Sequence, residues 1–433
     1  MPGLDWLLII GVILSLPLCV ARPWIGLLEY TWLSSMQPHR MVGGVAFDMP
    51  FAKIVAAATL LGWLFTRERY PLPRLREVGL IAALAILFTC TTWLAALEPE
   101  RARQSWTEIM KIFVMSGIGL TLMQDRRKLR IWLLVLALSF GFLGLTGGMF
   151  GLRTLFTTRL FGPPESIVSD NNALGFAFTI ILPLLAFLHI DETRSWLRHL
   201  LLLCFSLTIM ALFATYSRGA FLGLAIMLLS VVALIRSKDK ALLVAAALAC
   251  AVVYLAPSQW FERMQTITPT VYKKDSSGSQ RMHSWYVAWR LGLDHPLLGA
   301  GFHPFSPAVY ERYIPNYRAP HDAHNHFLQM LAEHGFTGLL LFAALLVSVQ
   351  LRLLRLAWSN RGDPQREWIV LSAEMLLASF LAYLVGGLFI NQPHAELLYQ
   401  LIVAALALDV IARAPVAPIG ESVLGATVRR LRG

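Results

Sequence analysis

Long apolar runs follow one another along this chain, separated by short polar stretches. They occupy residues 4–20, 24–36, 47–65, 78–97, 105–123, 129–150, 171–190, 196–215, 219–235, 241–256, 326–350, 367–390 and 395–412. A helix rises about 1.5 Å per residue, so about 20 apolar residues cross the hydrocarbon core of a bilayer. The composition agrees: 57% of residues are hydrophobic and 15% charged, where soluble chains carry about 25% charge. The pattern predicts an all-α polytopic membrane protein with about 12 transmembrane helices and no separate soluble domain. The first run contains Asp5 and no basic residue precedes it, so a cleaved signal peptide is not expected.

The loops assign sides. Arg67, Arg69, Arg74 and Arg76 follow the third run, and Arg126, Arg127, Lys128 and Arg130 the fifth. Arg194 and Arg198, then Arg236, Lys238 and Lys240, then Arg352, Arg355, Arg361 and Arg366 follow the seventh, ninth and eleventh. With the tail Arg429-Arg430-Leu431-Arg432, strict alternation puts all of them on one side, expected to be cytoplasmic. The chain then divides into membrane helices over 1–256, an extracytoplasmic loop over 257–323, further membrane helices over 324–413 and a cytoplasmic tail over 414–433. Residues 4–36 are too long for one crossing and are broken by Pro23. Two crossings give thirteen helices with an outer N-terminus; one crossing plus a re-entrant half-helix gives twelve.

The net charge of +11 lies mostly in these short loops, so it marks orientation in a membrane and not a nucleic-acid partner. Cys19, Cys90, Cys204 and Cys250 each fall inside an apolar run, with no CxxC pair, which argues for buried thiols and neither disulfides nor thiolate metal sites.

The polar residues gather on the outer side. Within Pro320–His326 stand His321, Asp322, His324, Asn325 and His326, where the large loop turns into an apolar run. A helix starting near His324 would line up Asn325, Gln329 and Glu333 on one stripe. His324 and His326 would point about 200° apart, leaving His321 in the loop facing water. Ser217 is a natural N-cap for a helix opening at Arg218, and a helix N-terminus with an arginine can seat a phosphate. An arginine snorkelling to lipid headgroups explains Arg218 equally well. Arg281 begins a segment with Met282, Trp285 and Trp289 at helical spacing, which suits a helix in the membrane interface. Asp170 and Asn171 open the seventh run just after Arg159, and helix capping alone would account for Asp170. The histidine-rich group has no HExxH motif to mark a metal site, and no GxSxG elbow supports a serine triad.

His324-Asn325, nine residues, then Gly335-Phe336-Thr337-Gly338 is similar to the His-Asn-x9-Gly-x-x-Gly pattern of the O-antigen ligase and polymerase superfamily. Arg22-Pro23-Trp24-Ile25-Gly26, Pro38-His39-Arg40, Gly162-Pro163-Pro164 and Asp170-Asn171-Asn172-Ala173 resemble one branch, the exosortase-A-associated putative O-glycosylation ligases. The resemblance implies a membrane-embedded, GT-C-like, inverting glycosyltransferase of the bacterial inner membrane, with its active site facing the periplasm and no metal cofactor. The donor would be a glycan on undecaprenyl diphosphate and the acceptor a hydroxyl of lipid A-core oligosaccharide. The residue matching His324 would be the general base. Those matching Arg218 and Arg281 would hold the diphosphate, with Asn325, Arg159, Asp170, Asn171, Ser217, His321 and Glu333 in support. An O-antigen polymerase or a protein O-oligosaccharyltransferase would use the same donor. A lipid-linked sugar transporter is the remoter reading, since no internal repeat is visible.

Overall fold

The computed structural model describes residues 3–234, 276–317 and 320–414. The basic residues 236–240, the run 241–256 and the arginines 429–432 lie outside the described residues. The helices are α1 (Leu4–Ala21), α2 (Pro23–Met36), the short α3 (Pro38–Val42), α4 (Phe51–Phe65), α5 (Arg76–Leu94), α6 (Pro99–Leu122), α7 (Arg126–Arg153) and α8 (Asn171–Asp191). They continue with α9 (Ser195–Thr215), α10 (Arg218–Leu234), α11 (Ser276–Asp294), the short α12 (Pro307–Tyr313), α13 (His326–Ser359), α14 (Glu367–Gly386) and α15 (Glu396–Arg413). The described residues hold no strand. Seven of these helices (α1, α5, α7, α8, α9, α13 and α14) are long and apolar enough to cross a membrane. The protein is an all-α polytopic membrane protein.

Pro23 stands at the first position of α2, where a proline ends one helix and opens the next. Ser15 Oγ and Cys19 Sγ donate to the two carboxylate oxygens of Glu29 at 2.6 and 3.1 Å, so α1 and α2 form an antiparallel hairpin. The α7–α9 interface is closer still: a Cβ on Gly148 would lie 2.3 Å from the Leu207 carbonyl oxygen, so the two backbones touch. Small residues at such crossings let helices pack where no hydrophobic force drives them together.

The two ends of the bundle differ. One end is basic and heavily paired. There Arg22 meets Glu68 at 3.3 Å, Arg130 meets Asp191 and Glu192 at 2.7 and 2.8 Å, and Arg361 meets Glu374 at 2.8 Å. Arg352 is deeper, bridging Glu77 of α5 at 2.6 Å and Asp409 of α15 at 2.5 Å. Burying two carboxylates is tolerable only with such a cation between them. The opposite end, where α8, α10 and α13 begin, carries the candidate site.

The structure corrects the expected start of α13. His324 precedes the helix in the left-handed region (φ 47°), and Asn325 is the N-cap, its Oδ1 accepting from Phe327 N and Leu328 N at 3.0 and 3.2 Å. The helix is then broken at Gly335, whose φ of 66° and ψ of −169° are not helical. The break frees backbone groups that must be satisfied internally inside a membrane. Residues 296–301 do this: Ala300 N donates to Ala332 O at 2.9 Å, Gly301 N to Glu333 O at 2.9 Å, and Phe336 N to Pro296 O at 2.8 Å.

A second correction concerns the interfacial stripe. On α11, Val287, Ala288 and Leu291 are buried, and Gly292 packs on Leu331 of α13. Met282 and Trp289 are exposed, but Trp285 turns inward and donates from Nε1 to the Ala323 carbonyl at 2.8 Å. It therefore braces the residue next to His324.

Candidate active site

The site is built on helix beginnings. Asp170 caps α8, its carboxylate accepting from Asn172 N at 2.9 Å and Ala173 N at 3.1 Å. Asn171 donates to the Thr215 carbonyl at 2.8 Å. Ser217 donates to Asn172 Oδ1 at 2.9 Å and accepts from Ala220 N at 3.3 Å, so it caps α10 as expected. These bonds tie the starts of α8 and α10 together and set Arg218 at the first position of α10. Free N–H groups and aligned peptide dipoles make such an end favourable for an anion.

His324 stands across this end from them. Burial is the main force holding its pKa down to about 4, and the charges of Arg281 and His321 push the same way while Asp170 opposes them. The imidazole is therefore a neutral base at pH 7, beside a guanidinium and a carboxylate. His324, Arg281 and Asp170 thus lie within electrostatic reach of one another, and Arg218 follows the Ser217–Asn172–Asp170 bonds. Arg218 and Arg281 are both half-buried. Arg159 is exposed in the loop before Asp170.

His321 is not free to face water. Its Nε2 is buried, and its carbonyl accepts from Tyr310 OH at 2.7 Å. His326 faces away from His324: its ring packs against Phe176 and Tyr383, and its backbone N–H donates to Gly387 O at 2.8 Å. Asp322 is half-buried, and burial raises its pKa against the opposing charge of His303.

Glu333 is 1% exposed and lies below the site. Its Oε1 accepts from Gln329 Nε2 at 2.6 Å and from His303 N at 3.1 Å. Gln329 Oε1 in turn accepts from Ala323 N at 3.1 Å, which connects Glu333 to the His324 loop. The expected stripe survives as Gln329–Glu333, without Asn325. The sequence reading missed His334 and His394, which meet Glu333 from α13 and from the segment before α15. His394 Nε2 lies 2.8 Å from Glu333 Oε2, the tautomer of the ring deciding its role there. A signal existed for His334, a second ionisable residue beside Glu333 in an apolar helix; none existed for His394, 60 residues away. Among the described residues, Glu333, His334 and His394 form the one group whose ligand atoms all fall within 4.8 Å. His321, Asp322, His324 and His326 do not join it.

Residues 201–343 match the family model of the O-antigen ligase, and residues 4–193 match a family of unknown function. No curated protein matches the chain. The first match spans Arg218, Arg281, His324, Gly335 and Gly338. The class so defined is that of membrane glycosyltransferases of the O-antigen ligase and polymerase type. Within the chain, it is residues 201–343 that carry the O-antigen ligase domain.

Proposed function

We propose that the protein transfers a glycan from undecaprenyl diphosphate to an acceptor hydroxyl, such as one on lipid A-core oligosaccharide, at the periplasmic face of the inner membrane. His324 takes the proton of the acceptor hydroxyl as its oxygen attacks the anomeric carbon. The bond from that carbon to the phosphate oxygen breaks on the opposite face, so the configuration inverts. Undecaprenyl diphosphate leaves with the bonding electron pair. Arg218, Arg281 and the start of α10 stabilise the charge that develops on it. Guanidinium groups thereby take the part a divalent cation plays elsewhere, and the transfer step needs no metal.

One observation supports this most: a half-buried imidazole kept neutral near Arg281, at an end of the bundle where helices α8, α10 and α13 begin. The test is transfer from a purified undecaprenyl-diphosphate glycan to lipid A-core, to free glycan and to protein acceptors, with chelator in the assay. His324→Ala abolishes transfer without loss of membrane insertion. Arg218→Lys and Arg281→Lys each lower the rate roughly ten- to hundredfold, because an ammonium cannot replace a guanidinium fork. Near-normal transfer by His324→Ala would overturn the assignment. The productive acceptor separates a ligase from a polymerase and from a protein oligosaccharyltransferase.

A further inference from the structure

The protonation pattern around Glu333 is unusual for a core. Thr91 has a single hydroxyl hydrogen, and Thr91 Oγ1 donates it to the Phe88 carbonyl at 3.1 Å. With Thr91 Oγ1 donating there, the 2.9 Å contact between Thr91 Oγ1 and His334 Nδ1 is the one in which the tautomer carrying its hydrogen on Nδ1 donates. That leaves His334 Nε2 as an unprotonated lone pair. It is fully buried, has no hydrogen-bond partner among the described residues and lies 3.9 Å from Glu333 Oε2. In that tautomer the Nε2 lone pair of His334 faces Glu333 Oε2, an atom that His394 Nε2 also approaches at 2.8 Å. Such an arrangement is costly unless something positive sits against both.

The remaining contacts have the form of a ligand shell. The other carboxylate oxygen of Glu333 is held by Gln329 and by the His303 backbone. Thr91 fixes the His334 ring and its tautomer. The third atom, His394 Nε2, lies 2.8 Å from Glu333 Oε2. In a tetrahedral site with bonds of about 2.0–2.1 Å, ligand atoms stand about 3.3 Å apart. The two separations from Glu333, 2.8 and 3.9 Å, straddle that value. Phe88 stacks on His334 at 4.1 Å between centroids, and Phe302 meets both histidine rings edge-on at 4.5 and 5.2 Å. An apolar wall outside an orienting polar shell is the usual surrounding of a protein metal site.

We infer that Glu333, His334 and His394 bind one divalent transition-metal ion of the zinc class, joining α5, α13 and the segment before α15 beneath the His324 loop. Two imidazoles and one carboxylate suit zinc, cobalt, iron or manganese and not magnesium or calcium. The ion is a framework element. Its bonds to α13 fix Glu333, and through Gln329 and Ala323 they fix the backbone that presents His324. The transfer chemistry of the proposed reaction does not pass through it, so metal content and transfer are separate readouts.

The test uses the full chain, purified in detergent without chelator from cells grown with added zinc and manganese. Elemental analysis is expected to find about one transition-metal ion per chain, and exchange with cobalt to give the visible absorption of a tetrahedral nitrogen–oxygen site. His334→Gln and His394→Gln each lower the metal content at least about tenfold and remove the cobalt band. His303→Gln, which keeps the backbone N–H that serves Glu333, retains both. Monodisperse gel filtration and unchanged helical circular dichroism show that the variants fold. Two results would overturn the inference: a wild-type chain with neither stoichiometric metal nor a cobalt band, or His334→Gln and His394→Gln chains that keep full metal content.

Discussion

The acid–base behaviour of the site rests on His324. An ordinary histidine titrates near 6.5. Burial and Arg281 bring this one down to about 4. The proposed reaction needs the neutral imidazole, so activity is expected to be lost as pH falls through the folded-state pKa and to be flat above it. The acid limb of kcat/KM, which reports the free enzyme, is expected near pH 4 and not near 6.5. Arg281→Gln removes a cation that disfavours protonation, so the limb of the residual activity moves upward. A limb at 6.5 in the wild type, unmoved in Arg281→Gln, would contradict this. At this scale the sequence was partly legible. His324, Arg218, Arg281 and the Ser217 and Asp170 caps could be named because caps and motifs are local. The inward turn of Trp285 and the meeting of Glu333 with His394 could not, because they depend on which elements pack together.

Among the elements, α13 carries most of the design. Its apolar pattern runs through residue 335 without interruption, so periodicity alone predicts one continuous helix. The two motif glycines have different tasks. Gly338 has no room for a Cβ, which would lie 2.3 Å from His334 Cβ. Gly335 has a left-handed φ of 66°, and its Cβ would lie 2.5 Å from the Pro296 carbonyl. Gly335→Ala therefore incurs backbone strain of about 1–3 kcal/mol together with a clash against backbone that cannot move aside easily. The expected result is a lower thermal midpoint in detergent and loss of transfer, read in parallel with Gly79→Ala, whose Cβ would meet nothing within 4 Å. Equal midpoints for the two variants would show that the break is not required.

Over the whole molecule, the helix register was legible almost to the residue. The run expected at 171–190 is Asn171–Asp191, and that at 196–215 is Ser195–Thr215. Hydrophobic length and charged ends are strong signals in a membrane protein. The N-terminal hairpin needed the structure, because Glu29 finds its partners only once α1 and α2 face each other. Orientation follows from charge: the paired, arginine-rich end is expected to face the cytoplasm. In a background without native cysteines, Thr158→Cys in the loop before α8 should react with an impermeant thiol reagent added from outside. Thr193→Cys, exposed at the basic end, should react only after the membrane is opened. The reverse pattern would invert the topology and remove the site from the periplasm.

The seal around Gly335 also bears on how the chain is made. Synthesis runs from the N-terminus, so Pro296, Ala300 and Gly301 leave the ribosome before Ala332, Glu333 and Phe336 exist. The groups that close the break are thus waiting when the broken span arrives. On the proposed topology they stand on a segment already past the membrane, while α13 enters it as two half-helices. Without that segment, the first half would carry the unpaired carbonyls of Ala332 and Glu333, and the second half the N–H of Phe336, into lipid, at several kcal/mol for each group. Biogenesis of α13 is therefore expected to depend on prior folding of the outer segment, and deletions there should appear as failed insertion of α13 before they appear as lost activity.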